Sequence, residues 1–62
     1  MKVGDRVQNI HHPEETGTVV RIKYEYPPYC VMVQVDGRPK YMNNGMGNFK
    51  ESDLRVIKNE LL

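Results

Sequence analysis

Short apolar runs alternate with strong punctuation along the whole chain, and the alternation is that of strands. The cleanest stretch is Tyr29 to Val35, where Tyr29, Val31, Val33 and Val35 share one face of a period-two pattern and Cys30, Met32 and Gln34 share the other. The valine face is expected to point inward. Ahead of it, Gly4-Asp5 signals a turn and Val7 to Ile10 reads as a first strand, followed by the polar loop His11-His12-Pro13-Glu14-Glu15. Gly17 reopens the chain, and the β-branched run Thr18 to Tyr24 reads as a second strand that ends at Pro27-Pro28. Asp36-Gly37 is a two-residue hairpin signal, and Lys40-Tyr41-Met42 would return as the fourth strand.

The six residues Asn43 to Asn48 hold three asparagines and two glycines and are expected to form an irregular loop anchored by Phe49. Glu51 to Leu54 suits a single 3₁₀ turn, and Arg55-Val56-Ile57 a fifth strand. The pattern therefore predicts an all-β fold, a small five-stranded SH3-like barrel over 1–57 with one 3₁₀ turn before the last strand. Residues 58–62 read as a frayed C-terminal tail. Val7, Val19 or Val20, Ile22, Val31, Val33, Phe49, Leu54 and Val56 are the expected core. An open five-stranded meander is the alternative to closure.

Composition narrows the function classes. The chain has 62 residues, 39% hydrophobic and 27% charged, with a formal net charge of +1. That is a globular composition in a domain too small to bury an elaborate active site. No apolar run is long enough to span a bilayer, and Met1 to Arg6 lacks the apolar segment of a secretory signal. The single cysteine, Cys30, has no internal disulfide partner, and the expected setting is cytoplasmic. The near-zero charge speaks against a strongly electrostatic nucleic-acid binder. The mild positive excess lies in residues 30–50, where Arg38, Lys40 and Lys50 face only Asp36.

Lys2-Val3-Gly4-Asp5-Arg6-Val7 followed by His11-His12-Pro13-Glu14 resembles the opening of the variable chain of ferredoxin–thioredoxin reductase. Val31 to Asp36, with Asn48-Phe49 and Asp53-Leu54, is similar to the photosystem I reaction-centre subunit IV. Both belong, with the nitrile hydratase β subunit, to SH3-like barrels described as electron-transport accessory domains. The resemblance runs from Lys2 to Ile57 and implies a barrel that carries no redox cofactor and supports a partner protein. This chain has Gln34 where the photosystem subunit has an arginine that helps dock ferredoxin. It also lacks the longer insert that the reductase chain carries between its first two strands.

Candidate chemistry is sparse. Adjacent imidazoles on an extended segment point apart, so His11 and His12 read as a solvated loop rather than a metal site. Cys30 has no basic neighbour or second cysteine to activate it and reads as a small apolar residue. No catalytic, cofactor-binding or metal-binding residues are expected, and the chain reads as a non-enzyme. The most plausible binding feature is the cluster of Tyr24, Tyr26, Tyr29 and Tyr41 around Pro27 and Pro28, with Arg38 and Lys40 ringing it. The expected partner is another protein. A second reading is a weak nucleic-acid-binding barrel of KOW or Tudor type, suggested by Gly17 to Ile22 and by Arg38, Lys40 and Lys50 beside Tyr41. A third is an oligomeric enzyme with a shared pore, as in plasmid-encoded dihydrofolate reductases, whose opening Gly-Asp-Arg-Val is similar to Gly4 to Val7. Their Gln-Ile-Tyr active-site run has no counterpart at Lys40-Tyr41-Met42.

Overall fold

The computed structural model describes residues 1–24 and 27–57. Five strands form one antiparallel sheet: β1 (Arg6–Asn9), β2 (Thr16–Ile22), β3 (Val31–Val35), β4 (Met46–Phe49) and β5 (Leu54–Val56). Their spatial order is β4-β3-β2-β1-β5, so β1 to β4 form a meander and β5 crosses back to pair outside β1. The 3₁₀ turn expected before the last strand spans Glu51–Asp53. The all-β class and the five strands stand as predicted. Closure does not: β4 and β5 are not paired among the described residues, and the sheet stays open. The tail at 58–62 lies outside the described residues.

Alternation in β3 places Val31, Val33 and Val35 in the core with Val7, Val19 and Leu54. Met1, Ile22, Cys30 and Phe49 pack partly against this cluster. Two expectations about the third strand fail at its start. The strand begins at Val31, after the Cys30 amide has bonded back to the Pro28 carbonyl at 3.1 Å. Outside the ladder the alternation lapses, so Tyr29 is exposed and Cys30, expected on the other face, packs on the core.

The ambiguity between Val19 and Val20 resolves at a bulge. Val19 pairs with Val33 and Arg21 with Met32, so Val20 is the extra residue and turns outward. Val56 is half-exposed although its ladder partner Val7 is buried, because β5 is an edge strand of an open sheet. The first, second and fifth strands also start and end one or two residues earlier than the apolar runs suggest, which leaves Ile10 exposed.

The largest correction concerns the fourth strand. Asp36-Gly37 does make a tight turn, with Gly37 at φ +76° and the Arg38 amide bonded to the Val35 carbonyl at 3.3 Å. The chain does not return there as a two-residue hairpin. Lys40-Tyr41-Met42 lies in an irregular connection, and Asn43–Gly45 forms a second 3₁₀ turn. Asn43, Asn44 and Gly45 all take positive φ, which asparagine and glycine tolerate best. The strand then follows at Met46–Phe49, pairing Gln34 with Met46 and Val31 with Phe49. A residue run predicted to be irregular is thus half turn and half edge strand. An edge strand buried on one side only needs no repeated apolar positions beyond Phe49.

On the outer face a guanidinium joins three strands. Arg6 Nη1 donates to Asp36 Oδ1 and to Thr18 Oγ1, each at 3.0 Å, and Thr16 Oγ1 donates to Asp36 Oδ2 at 2.7 Å. The Arg6 guanidinium, and after it the Thr16 hydroxyl, hold the Asp36 carboxyl below its ordinary range, while the same hydrogen bond raises Arg6. A carboxyl depressed in the folded state contributes stability that is present above its unfolded value, about pH 4, and lost as pH falls through the lower folded value. Asp36→Asn should therefore flatten the acid limb of the stability profile below about pH 4. Urea midpoints at stepped acid pH measure this, and parallel limbs in parent and variant would show that the pair contributes nothing.

Candidate partner-binding surface

Five of the six candidate residues lie among the described residues, and they fall at two ends of β3. At one end the β2–β3 hairpin continues past the ladder through the Lys23 amide, bonded to the Cys30 carbonyl at 2.8 Å. That bond closes the hairpin next to Tyr24 and Tyr29, which flank the Pro27-Pro28 pair in sequence and are 60% and 55% exposed. Tyr26, the third tyrosine of this cluster, lies outside the described residues. Lys50 is at this end too, its Nζ 5.6 Å from the centroid of the Tyr29 ring. It is carried there by the β3–β4 register, which pairs Val31 with the adjacent Phe49. An exposed contact of this kind contributes about 0.5–1 kcal/mol and orders the ring.

Arg38, Lys40 and Tyr41 belong to the other end, beyond Val35. Four residue steps at about 3.3 Å each separate Val31 from Val35. Arg38 and Lys40 therefore do not ring the Tyr24–Tyr29 pair. Arg38 is also committed within the fold. Its Nη1 donates to the Met46 carbonyl at 3.2 Å and its Nη2 to Glu15 Oε2 at 3.3 Å. Glu15 in turn accepts from the buried Asn9 side chain at 3.0 Å. This chain of polar contacts ties β1, the loop after it and the β3–β4 connection together, and it leaves no buried side-chain nitrogen or oxygen unpartnered among the described residues. Tyr41 is 87% exposed.

Between these two loops lies an open groove of about 380 Å³ lined by Glu14, Glu15, Val35, Asp36, Gly37, Arg38, Pro39 and Met42. The histidines sit on its neighbouring loop. His11 Nε2 lies 3.0 Å from Asp53 Oδ1 and His12 Nδ1 lies 3.7 Å from Glu14 Oε1, both rings largely exposed. Among the described residues no three His, Cys, Asp or Glu side chains converge as a metal site would require. Gly17, which the KOW-like reading singled out, has a packing reason of its own. A Cβ there would lie 2.4 Å from the Gln34 carbonyl oxygen.

No family model, curated protein or solved structure matches the chain. The polar chain from Asn9 through Glu15 to Arg38 has no signal in the sequence, because it needs the register of two loops far apart. By sequence Lys50 groups with the basic patch beside Tyr41, whereas β4 brings it to Tyr29 at the opposite end.

Proposed function

We propose that the chain is a small non-enzymatic domain that binds another protein as an accessory unit, in a cytoplasmic setting. The observation that carries the reading is the pair of exposed tyrosines, Tyr24 and Tyr29, next to the bond that closes the β2–β3 hairpin, with the Lys50 ammonium over the Tyr29 ring. Tyrosine offers a large amphipathic contact with little rotamer entropy to lose, which suits an interface core. The cation orders the Tyr29 ring before any partner arrives, which lowers the entropy lost on binding. The resemblance to electron-transport accessory domains supports the same class. No helix among the described residues is long and apolar enough to cross a membrane.

The test uses the tagged full chain in extract of its own cell, with and without nuclease, followed by titration of the captured partner. Tyr29→Ala should weaken binding by about 1–2 kcal/mol, close to tenfold, and lower melting by no more than about 5 °C through loss of the Lys50 contact. Lys50→Ala should change the salt dependence of association more than the affinity. Parent-like binding by both Tyr24→Ala and Tyr29→Ala would move the surface elsewhere. Loss of the captured material on nuclease treatment, with a steep salt slope, would install the nucleic-acid reading instead.

A further inference from the structure

Asn44-Gly45 is the one asparagine–glycine step in the chain. Such a step is chemically reactive, because glycine has no side chain to shield its nitrogen. The Gly45 nitrogen gives up its proton and attacks Asn44 Cγ, the bond from Cγ to Nδ2 breaks, and ammonia leaves. The product is a five-membered succinimide. Water then opens the ring at one carbonyl or the other, giving aspartate or isoaspartate. Every other asparagine is followed by a bulkier residue: Ile10, Asn44, Phe49 or Glu60. In an unfolded chain Asn44 is therefore the asparagine that deamidates first.

The fold opposes that reaction at each of its requirements. Ring closure needs the Gly45 nitrogen on the same side of the Cα–C bond as the Asn44 Cβ. Asn44 has φ 57° and ψ 25°. That ψ nearly eclipses the Gly45 nitrogen with the amide nitrogen of Asn44 itself and turns it away from Cβ. The attacking nitrogen must also shed its proton, and the Gly45 amide donates that proton to the Met42 carbonyl at 2.8 Å. Gly45 is buried although Asn44 is exposed, which keeps solvent base from the nitrogen. The Asn44 carbonyl accepts from Gln34 Nε2 at 3.0 Å, so both ends of the peptide plane between the two residues are held. Turning ψ into the ring geometry breaks the Gln34 and Met42 bonds together.

We propose that Asn44 is a deamidation site gated by the fold: the turn at Asn43–Gly45 blocks succinimide formation, and local opening of that turn permits it. The reaction runs one way. Isoaspartate inserts a methylene into the backbone between two residues of positive φ, so the Gly45–Met42 bond and the bond from the Met46 amide to the Asn43 carbonyl cannot both re-form. Arg38 Nη1 donates to the Met46 carbonyl directly after this turn, and Arg38 Nη2 reaches Glu15. Each opening that ends in isoaspartate therefore loosens the tie between the β3–β4 connection and the loop after β1. The site is independent of what the tyrosines bind.

The test holds the full chain in mildly alkaline buffer below its melting temperature, folded or in denaturing urea, and follows conversion at each asparagine by peptide mass spectrometry. In urea Asn44 should convert ahead of the other asparagines. In the folded chain its conversion should be at least about tenfold slower, since only the opened turn reacts. Gln34→Ala removes the bond to the Asn44 carbonyl and should raise the folded rate about threefold, with the rate in urea unchanged and a melting curve to show that the domain is folded. The isoaspartyl form, separated by chromatography, should melt below the parent. Asn44→Asp, with its backbone intact, should melt within about 3 °C of the parent. Equal rates in the folded chain and in urea, a folded rate unmoved by Gln34→Ala, or an isoaspartyl form that melts with the parent would each overturn the proposal.

Discussion

Gly17→Ala should lower the melting temperature of the domain by roughly 15 °C. Gly17 lies on β2 directly opposite β3, where a Cβ would stand 2.4 Å from the Gln34 carbonyl oxygen and 2.5 Å from Val33 Cγ1. The first of these is backbone in the central pair of strands and cannot swing aside. Relief requires β2 and β3 to separate at the pair that also buries Val19, Val33 and Val35. Overpacking of this kind costs on the order of 3 kcal/mol, a large share of the roughly 5 kcal/mol expected of so small a domain. Circular dichroism melting measures it. Gly4→Ala and Gly37→Ala are the comparison, because both positions open onto free space and carry only the penalty of positive φ. That penalty is about 1 kcal/mol. If Gly17→Ala melts no lower than these two, the β2–β3 approach is looser than the geometry here.

Val33→Ala should be the next most damaging change. Val33 sits in the middle strand of the cluster, 2% exposed, and pairs across to Val19 on one side and Gly47 on the other. Removing two methyl-sized groups from a six-residue core leaves a cavity that few neighbours can fill. The expected cost is about 2 kcal/mol, or a fall in melting temperature of roughly 10 °C. Val20→Ala, one bulge away and outward-facing, should shift melting by less than about 3 °C. Equal shifts in the two variants would mean that the bulge and the core register are wrong.

The contrast between those valines shows what could be read in advance. Val31, Val33 and Val35 were legible because an inner strand with one buried face obeys a strict period of two. Val19 and Val20 were not, because a bulge breaks the period and only the partner strand shows where. The fourth strand was hidden for a related reason. Met46 to Phe49 lies at the sheet edge, where a single anchor such as Phe49 suffices and glycine and asparagine are tolerated. A Cβ at Gly47 would push aside the end of the Arg38 side chain and press on the Phe49 ring, so the absent side chain at 47 leaves room for both. In the candidate surface, the exposure of Tyr24 and Tyr29 was legible because both lie beside the prolines that end the ladder. The roles of Arg38 and Lys50 were not. One depends on a loop 23 positions away and the other on the register of a strand that the pattern did not reveal.

The return of β5 to β1 bears on how the chain reaches its fold. The β2–β3 and β3–β4 ladders close over short connections and can form with little loss of chain entropy. The β1–β5 ladder, with Val7 opposite Val56 and the Ile57 amide bonded to the Arg6 carbonyl, joins the two extremes of the described chain. It closes the longest loop in the molecule and yields only three residue pairs in return. Docking of the last strand therefore belongs after the rate-limiting step, with the meander as nucleus. Weakening β5 would then accelerate unfolding and leave the folding rate nearly untouched, whereas weakening β3 would slow folding itself.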